Sequence, residues 1–95
     1  MHVVTVQLTL RAECIDTFLR ELGAFRVLVE AEPDCLRFDV LQHADHPESI
    51  LLLEAWSSRD YFEQVQLKRA YYVPYLERVR PMWAEERRFD PWYER

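Results

Sequence analysis

The stretch Glu32–Gln42, EPDCLRFDVLQ, decides how this chain is organised. Pro33 ends the helical segment before it, because proline denies its predecessor the helical backbone region. From Cys35 to Gln42 the side chains alternate between two faces, which is the period of a β-strand. One face carries Leu36, Phe38 and Val40, and the other carries Arg37, Asp39 and Leu41. The stretch therefore predicts a turn followed by a strand over Cys35–Gln42.

The residues before this turn predict a strand and then a helix. His2–Leu10 alternates with period two and is rich in β-branched residues, which favours a strand. After Arg11 the apolar residues recur at helical spacing from Ile15 to Val29. This spacing predicts an amphipathic helix of about five turns.

The residues after the turn predict two further strands around a broken helix. Ile50–Trp56 is apolar at nearly every position, which is typical of a strand covered on both faces. Ser57 or Ser58 can cap the next helix, which Pro74 interrupts as the first residue of a second helical piece. Met82–Phe89 alternates weakly and is predicted as the last strand. Residues 90–95 are then a C-terminal tail, whose aromatic side chains should pack on another surface.

This order of elements indicates the fold class. Strand, helix, strand, strand, broken helix and strand form a doubled βαβ unit, as in ferredoxin-like α+β domains. One face of the four-stranded sheet takes the helices. Because the third strand is apolar on both faces, the other face is predicted to be covered by a second copy of the chain. The expected assembly is a homodimer paired sheet against sheet.

Composition limits the possible functions. Ninety-five residues suit one domain, 1–95, and the single glycine, Gly23, excludes a glycine-rich phosphate loop. A net charge of −5 argues against nucleic acid and against anionic membranes as partners. Two cysteines are too few for a disulfide framework or a four-cysteine zinc site, which favours reduced thiols in the cytoplasm. No apolar run approaches the ~20 residues of a membrane span.

Glu54 is the most informative single residue. It lies among the apolar residues 51–53 and Trp56, where burial would raise its pKa and suit it to act as a general base. The alternative is a structural ion pair with Arg37 or Arg88. Arg37 and Asp39 share one face of their strand, where they could hold an anionic oxygen and accept a proton, or simply pair with each other.

The Glu32–Gln42 stretch resembles the antibiotic biosynthesis monooxygenase superfamily, which shows a similar turn and strand at this place. The likeness continues through Leu53–Trp56 and through Asp60 and Phe62 of the next helix, and it covers about residues 2–89. It is closest to small members, among them quinol monooxygenases and the isomerase that degrades phosphorylated autoinducer-2. The resemblance implies a dimeric α+β barrel with a pocket between sheet and helices, and chemistry without metal or prosthetic group.

One feature of that family is absent from this chain. Many members carry one or two histidines along the helix after the tryptophan strand. Here those positions read Val65 and Ala70 or Tyr71, and the proline is displaced to Pro74. Histidine is the usual base near neutral pH, so another group would have to move the proton. The absence also argues against the haem-degrading branch. His43 and His46 lie in a polar loop and are not expected to bind metal.

The resemblance and the residues together give a first hypothesis for function. It is a cofactor-independent monooxygenase that oxidises a small quinol or phenolic molecule with molecular oxygen. The alternatives are an isomerase of a small phosphorylated metabolite and a non-catalytic dimeric protein that binds a small molecule. The candidate catalytic residues are Glu54, Tyr71 and Tyr72, and the candidate substrate-binding residues are Arg37, Phe38, Asp39, Trp56, Phe62 and Val65.

Overall fold

The computed structural model describes residues 1–95 and contains four strands and three α-helices. The strands are β1 (His2–Thr9), β2 (Cys35–Gln42), β3 (Ser49–Trp56) and β4 (Arg88–Tyr93). The helices are α1 (Ile15–Glu30), α2 (Arg59–Gln64) and α3 (Tyr72–Val79). Short 3-10 turns at Ala12–Cys14, Gln66–Lys68 and Arg80–Met82 connect them. None of the helices is long and apolar enough to cross a membrane.

The four strands form one antiparallel sheet in the order β2-β3-β1-β4. This is the ferredoxin-like α+β arrangement that the sequence predicts. The register places Glu54 of β3 between Val4 of β1 and Phe38 of β2. Glu54 is therefore held at the centre of the sheet, on the face that the helices cover.

The last strand differs from the sequence prediction. It spans Arg88–Tyr93 instead of Met82–Phe89, so Asp90–Tyr93 pair with β1 and are not a tail. Pro91 is tolerated because β4 is an edge strand that pairs only with β1 and can lack one backbone donor. Pro74 also differs, because it is the third residue of α3 and not its first.

The core lies between the covered face of the sheet and the helices. Its fully buried side chains include Val4 and Trp56 from the sheet, Phe18, Leu22 and Val29 from α1, and Val79 from α3. Full burial of such a side chain contributes roughly 1.5–3 kcal/mol. Ser58 caps α2 by accepting a hydrogen bond from the Tyr61 backbone N–H at 3.1 Å. This cap fixes where the chain turns back across the sheet.

The other face of the sheet carries no helix. Along β3 this face is apolar, with Leu51, Leu53 and Ala55, whereas β1 contributes Val3, Thr5 and Gln7. On the edge strands Arg37 pairs with Asp39, and Arg88 pairs with Asp90. We call this surface the open face.

Candidate active site

A cavity of about 250 Å³ lies between the covered face of the sheet and the helices. Thirteen of its fifteen lining residues are hydrophobic, and the other two are Glu54 and Arg87. Its aromatic wall comprises Phe18, Phe25, Phe38, Phe62, Tyr72, Tyr75, Trp83 and Phe89. The cavity is smaller than the ~300–1,000 Å³ of most drug-sized sites, so it suits a ligand of one or two rings.

Glu54 provides the only carboxylate in the cavity wall. The residue is 6% exposed, and burial raises the pKa of its carboxyl from the ordinary 4.5 to about 7. Two interactions oppose this rise in pKa: the Trp56 indole N–H donates to Glu54 Oε1 at 3.0 Å, and the positive charge of Arg87 acts on the carboxyl without direct contact. A carboxyl with a pKa near 7 can both accept and release a proton at neutral pH.

Arg87 provides the only cation in the wall. Its guanidinium carbon lies 5.4 Å from the ring centroids of both Trp83 and Phe89, which is cation–π distance. No carboxylate lies within 4.0 Å of it, although Glu54 lines the same cavity. Burial lowers the pKa of Arg87, but arginine stays protonated at neutral pH. An unpaired cation and a carboxyl therefore face one small apolar space.

Two further side chains offer hydrogen-bond donors. Tyr72 lines the cavity, and burial raises the pKa of its hydroxyl far above neutral, so it acts as a donor and not as a base. Trp83 also lines the cavity, and its buried indole N–H has no acceptor within the protein.

A buried polar network supports Tyr72 from behind. Its centre is Gln66, whose side chain is fully buried and whose amide donates to the hydroxyls of Tyr71 at 2.8 Å and Tyr72 at 3.0 Å. Tyr61 donates to the Gln66 carbonyl at 3.1 Å. At the far end Tyr71 donates to Glu32 at 3.3 Å. The network holds the connection between α2 and α3 against the turn after α1.

The structure brings several of the sequence-predicted site residues to this cavity. Glu54, Tyr72, Phe38 and Phe62 line it. Trp56 lies beneath it as the hydrogen-bond donor to Glu54. Tyr71 does not line the cavity and belongs to the network behind Tyr72.

Three predicted substrate-binding residues do not reach the cavity. Arg37 and Asp39 project from the open face, because side chains alternate along β2 and Phe38 between them faces the core. Arg37 pairs with Asp39, and Arg88 pairs with Asp90. Neither arginine therefore forms an ion pair with Glu54. Val65 is 42% exposed at the end of α2 and does not line the cavity. These three residues therefore lie outside this cavity.

Arg87 in the cavity wall and Gln66 in the network behind it had no clear signal in the sequence. Arg87 belongs to a run of arginines and glutamates. Only the register of β4 shows that Arg87 lines the cavity and that Arg88 does not. Gln66 lies in a polar stretch without periodicity. His43 lies in the loop between β2 and β3, where its Nδ1 accepts hydrogen bonds from the backbone N–H groups of Asp45 and His46. No group of three or more potential metal-ligating side chains is present.

Sequence comparison identifies the family. Residues 1–69 match the sequence model of the antibiotic biosynthesis monooxygenase family. That match spans well over half of the 95 residues, so the chain belongs to this family. No curated protein matches the sequence.

Structural comparison agrees with this assignment. A protein from Nitrosomonas europaea, assigned provisionally as an antibiotic biosynthesis monooxygenase, is 26% identical with a TM-score of 0.91. The alignment covers 99% of this chain and 98% of that one. SnoaB, a cofactor-independent oxygenase from Streptomyces nogalater, shares the fold at 17% identity and a TM-score of 0.85, over 99% and 93% of the two chains.

Proposed function

We propose that this protein is a cofactor-independent monooxygenase that oxidises a small phenol or quinol with molecular oxygen. The observation that carries the proposal is the presence of one carboxyl and one unpaired guanidinium, Glu54 and Arg87, in an otherwise hydrophobic cavity. Family membership supports the reaction class. The size of the cavity and its aromatic wall support a flat ligand of one or two rings.

The first step is removal of the hydroxyl proton. Glu54, with a pKa of about 7, accepts the proton from the phenolic oxygen. Arg87 stabilises the resulting oxyanion in a site where an apolar wall keeps water away. Tyr72 is a further donor to this oxygen.

The second step is reaction of the electron-rich anion with oxygen. A ring carbon that carries hydrogen forms a C–O bond to O₂, and protonation gives a hydroperoxide. Loss of the ring proton and cleavage of the O–O bond leave a new carbonyl and release water. The balance is one phenol and one O₂ to one quinone and one water, with all four electrons supplied by the substrate.

Oxygen uptake tests this proposal. The purified protein should consume O₂ with a saturable dependence on one of a panel of quinols and naphthols, and isotopically labelled oxygen should enter the product. A no-enzyme control corrects for autoxidation. An isomerase would convert its substrate equally well without oxygen. Product formation that is unchanged under anaerobic conditions would therefore contradict the monooxygenase proposal.

Replacing Arg87 tests the proposed anion-stabilising group. We expect Arg87→Met to lower kcat/KM by about 10- to 100-fold, because a charge-assisted hydrogen bond to the oxyanion is lost. Arg87→Lys should retain part of the activity, since the charge remains. Arg78→Met is the matched control, because Arg78 pairs with Glu21 on the exposed surface. Equal activity of the Arg87→Met and Arg78→Met variants would contradict this role.

We also propose that two copies of the chain pair through the open face. Its two central strands carry no charged side chain on this face, and the Arg37–Asp39 and Arg88–Asp90 pairs neutralise their own charges, so covering the face leaves few isolated charges. Trp92, 51% exposed, adds an aromatic surface at the edge. Sheet-on-sheet packing is a common way to cover such a surface.

Light scattering should therefore report twice the chain mass of 11.6 kDa for the wild type. Leu53→Arg places a charge at the centre of the open face and should give the single-chain mass. Val73→Arg is the control, because Val73 is 61% exposed on α3, away from this face. A Leu53→Arg variant that keeps the wild-type mass would contradict pairing through the open face.

A further inference from the structure

The polar network behind the cavity has a fixed direction of hydrogen bonding. It begins at Glu32, in the turn after α1, whose carboxylate forms an ion pair with Arg69 at 2.9 Å. A paired carboxylate is ionised and can only accept hydrogen bonds. The Tyr71 hydroxyl, 3.3 Å from Glu32, must therefore be the donor in that contact.

This contact determines the orientation of Gln66. A tyrosine hydroxyl has one proton, and Tyr71 gives it to Glu32. The 2.8 Å contact between Tyr71 and Gln66 then requires a donor on the glutamine, so the Gln66 amino group faces the tyrosines. The contacts of the Gln66 carbonyl support the same orientation. Arg69 donates to the Tyr61 oxygen at 3.4 Å, and Tyr61 donates its own proton to the Gln66 carbonyl.

The orientation of Gln66 determines what Tyr72 can do. The same amino group donates to the Tyr72 oxygen at 3.0 Å. The Tyr72 hydroxyl makes no other hydrogen bond, so its own proton has no acceptor within the protein. Since Tyr72 lines the cavity, a ligand oxygen there can take that proton as a hydrogen bond.

We infer that Gln66 is a positioning residue, which makes Tyr72 a hydrogen-bond donor to an oxygen of the ligand in the cavity. This inference deepens the proposed function and rests on it for the class of ligand. Gln66 acts through Tyr72 and does not line the cavity. A merely structural glutamine would leave the preference for an oxygen-bearing ligand unchanged.

A pair of probes isolates this hydrogen bond. Binding of 1-naphthol and naphthalene can be measured by tryptophan fluorescence, and the ratio of the two affinities reports only contacts to the oxygen. Tyr72→Phe should lower this ratio by about fivefold to tenfold, because one hydrogen bond is lost. Gln66→Glu should lower it equally, because a carboxylate would accept the Tyr72 proton. Gln66→Leu should keep most of it, because the proton stays available.

Two further variants test whether Glu32 sets the direction of hydrogen bonding in the network. Glu32→Gln removes the obligatory acceptor, allows Gln66 to turn over, and should lower the ratio. Glu30→Gln is the matched control, since Glu30 pairs only with Arg26 on the surface of α1. An unchanged ratio in Gln66→Glu, with Tyr72→Phe reduced and both variants folded by circular dichroism, would overturn the inference.

Neutron diffraction from ligand-free, deuterium-exchanged crystals decides the inference without any ligand. The expected map shows deuterium on the Gln66 nitrogen directed at Tyr71 and Tyr72, and the Tyr72 deuteron directed away from Gln66. A Gln66 carbonyl facing Tyr72 would overturn the inference. Failure of both probes to bind would instead count against the proposed aromatic ligand, so the two proposals can fail separately.

Discussion

Glu54→Gln should lower kcat by about 10²- to 10⁴-fold, the usual contribution of a general base. Glutamine has the same shape and can still accept the hydrogen bond from Trp56 Nε1, now 3.0 Å from Glu54 Oε1. What it lacks is the ability to take a proton. The cavity contains no second carboxylate or histidine to replace it.

The pH dependence of the proposed activity in the wild type should have the same origin. Glu54 acts as a base only when it is deprotonated, and its pKa is about 7. We therefore expect kcat/KM to rise with pH through about 7 and to level off above that value. Glu77→Gln, at an exposed position of α3, is the control and should keep both rate and profile. Wild-type activity in Glu54→Gln would exclude Glu54 as the base.

The second large effect concerns stability. The folded-state pKa of Glu54 lies above the ordinary value of 4.5, so the folded protein binds this proton more tightly than the unfolded chain. Between pH 4.5 and about 7 the unfolded chain binds fewer protons at this position, and stability falls as pH rises. The rise in pKa corresponds to about 3 kcal/mol of unfolding free energy lost across this range.

Urea unfolding at pH 5 and pH 8 measures this loss. Glu54→Gln should lack it, and between pH 5 and pH 8 its unfolding free energy should change by about 2.5 kcal/mol less than that of the wild type. His2 gives the opposite slope, because burial lowers its pKa, but it is common to both proteins. The comparison therefore isolates Glu54. Parallel pH dependences in the two proteins would show that the Glu54 pKa is not raised.

The order and type of the elements could be predicted from the sequence, with one exception. Alternation and the proline before it define β2, and the predicted bounds, Cys35–Gln42, are those of the structure. The last strand could not be placed, because Pro91 and the neighbouring aromatic residues obscure its alternation. Its position depends on pairing with β1, a contact between distant parts of the chain.

The candidate site could be predicted only in part. Glu54 could be identified as a candidate from the sequence because a charged residue in an apolar strand is unusual, and it lies in the cavity wall. Alternation placed Arg37 and Asp39 on one face of β2 but could not show which face of that strand meets the cavity. Arg87 and Gln66 depend on the register of β4 and on the path between α2 and α3, which no local pattern encodes.

The cavity wall is built from two consecutive parts of the chain, which contribute different groups to it. The family match ends at residue 69, whereas Tyr72, Tyr75, Trp83, Arg87 and Phe89 come after it. The shared portion supplies Glu54 and the sheet beneath it, and the later portion supplies the cation and much of the aromatic wall. Four of the eight aromatic residues of the wall thus come from each part of the chain. Under the proposed function, we expect that exchanging residues 70–95 with those of a relative changes which ligand the cavity accepts, because this segment carries Arg87 and half of the aromatic wall.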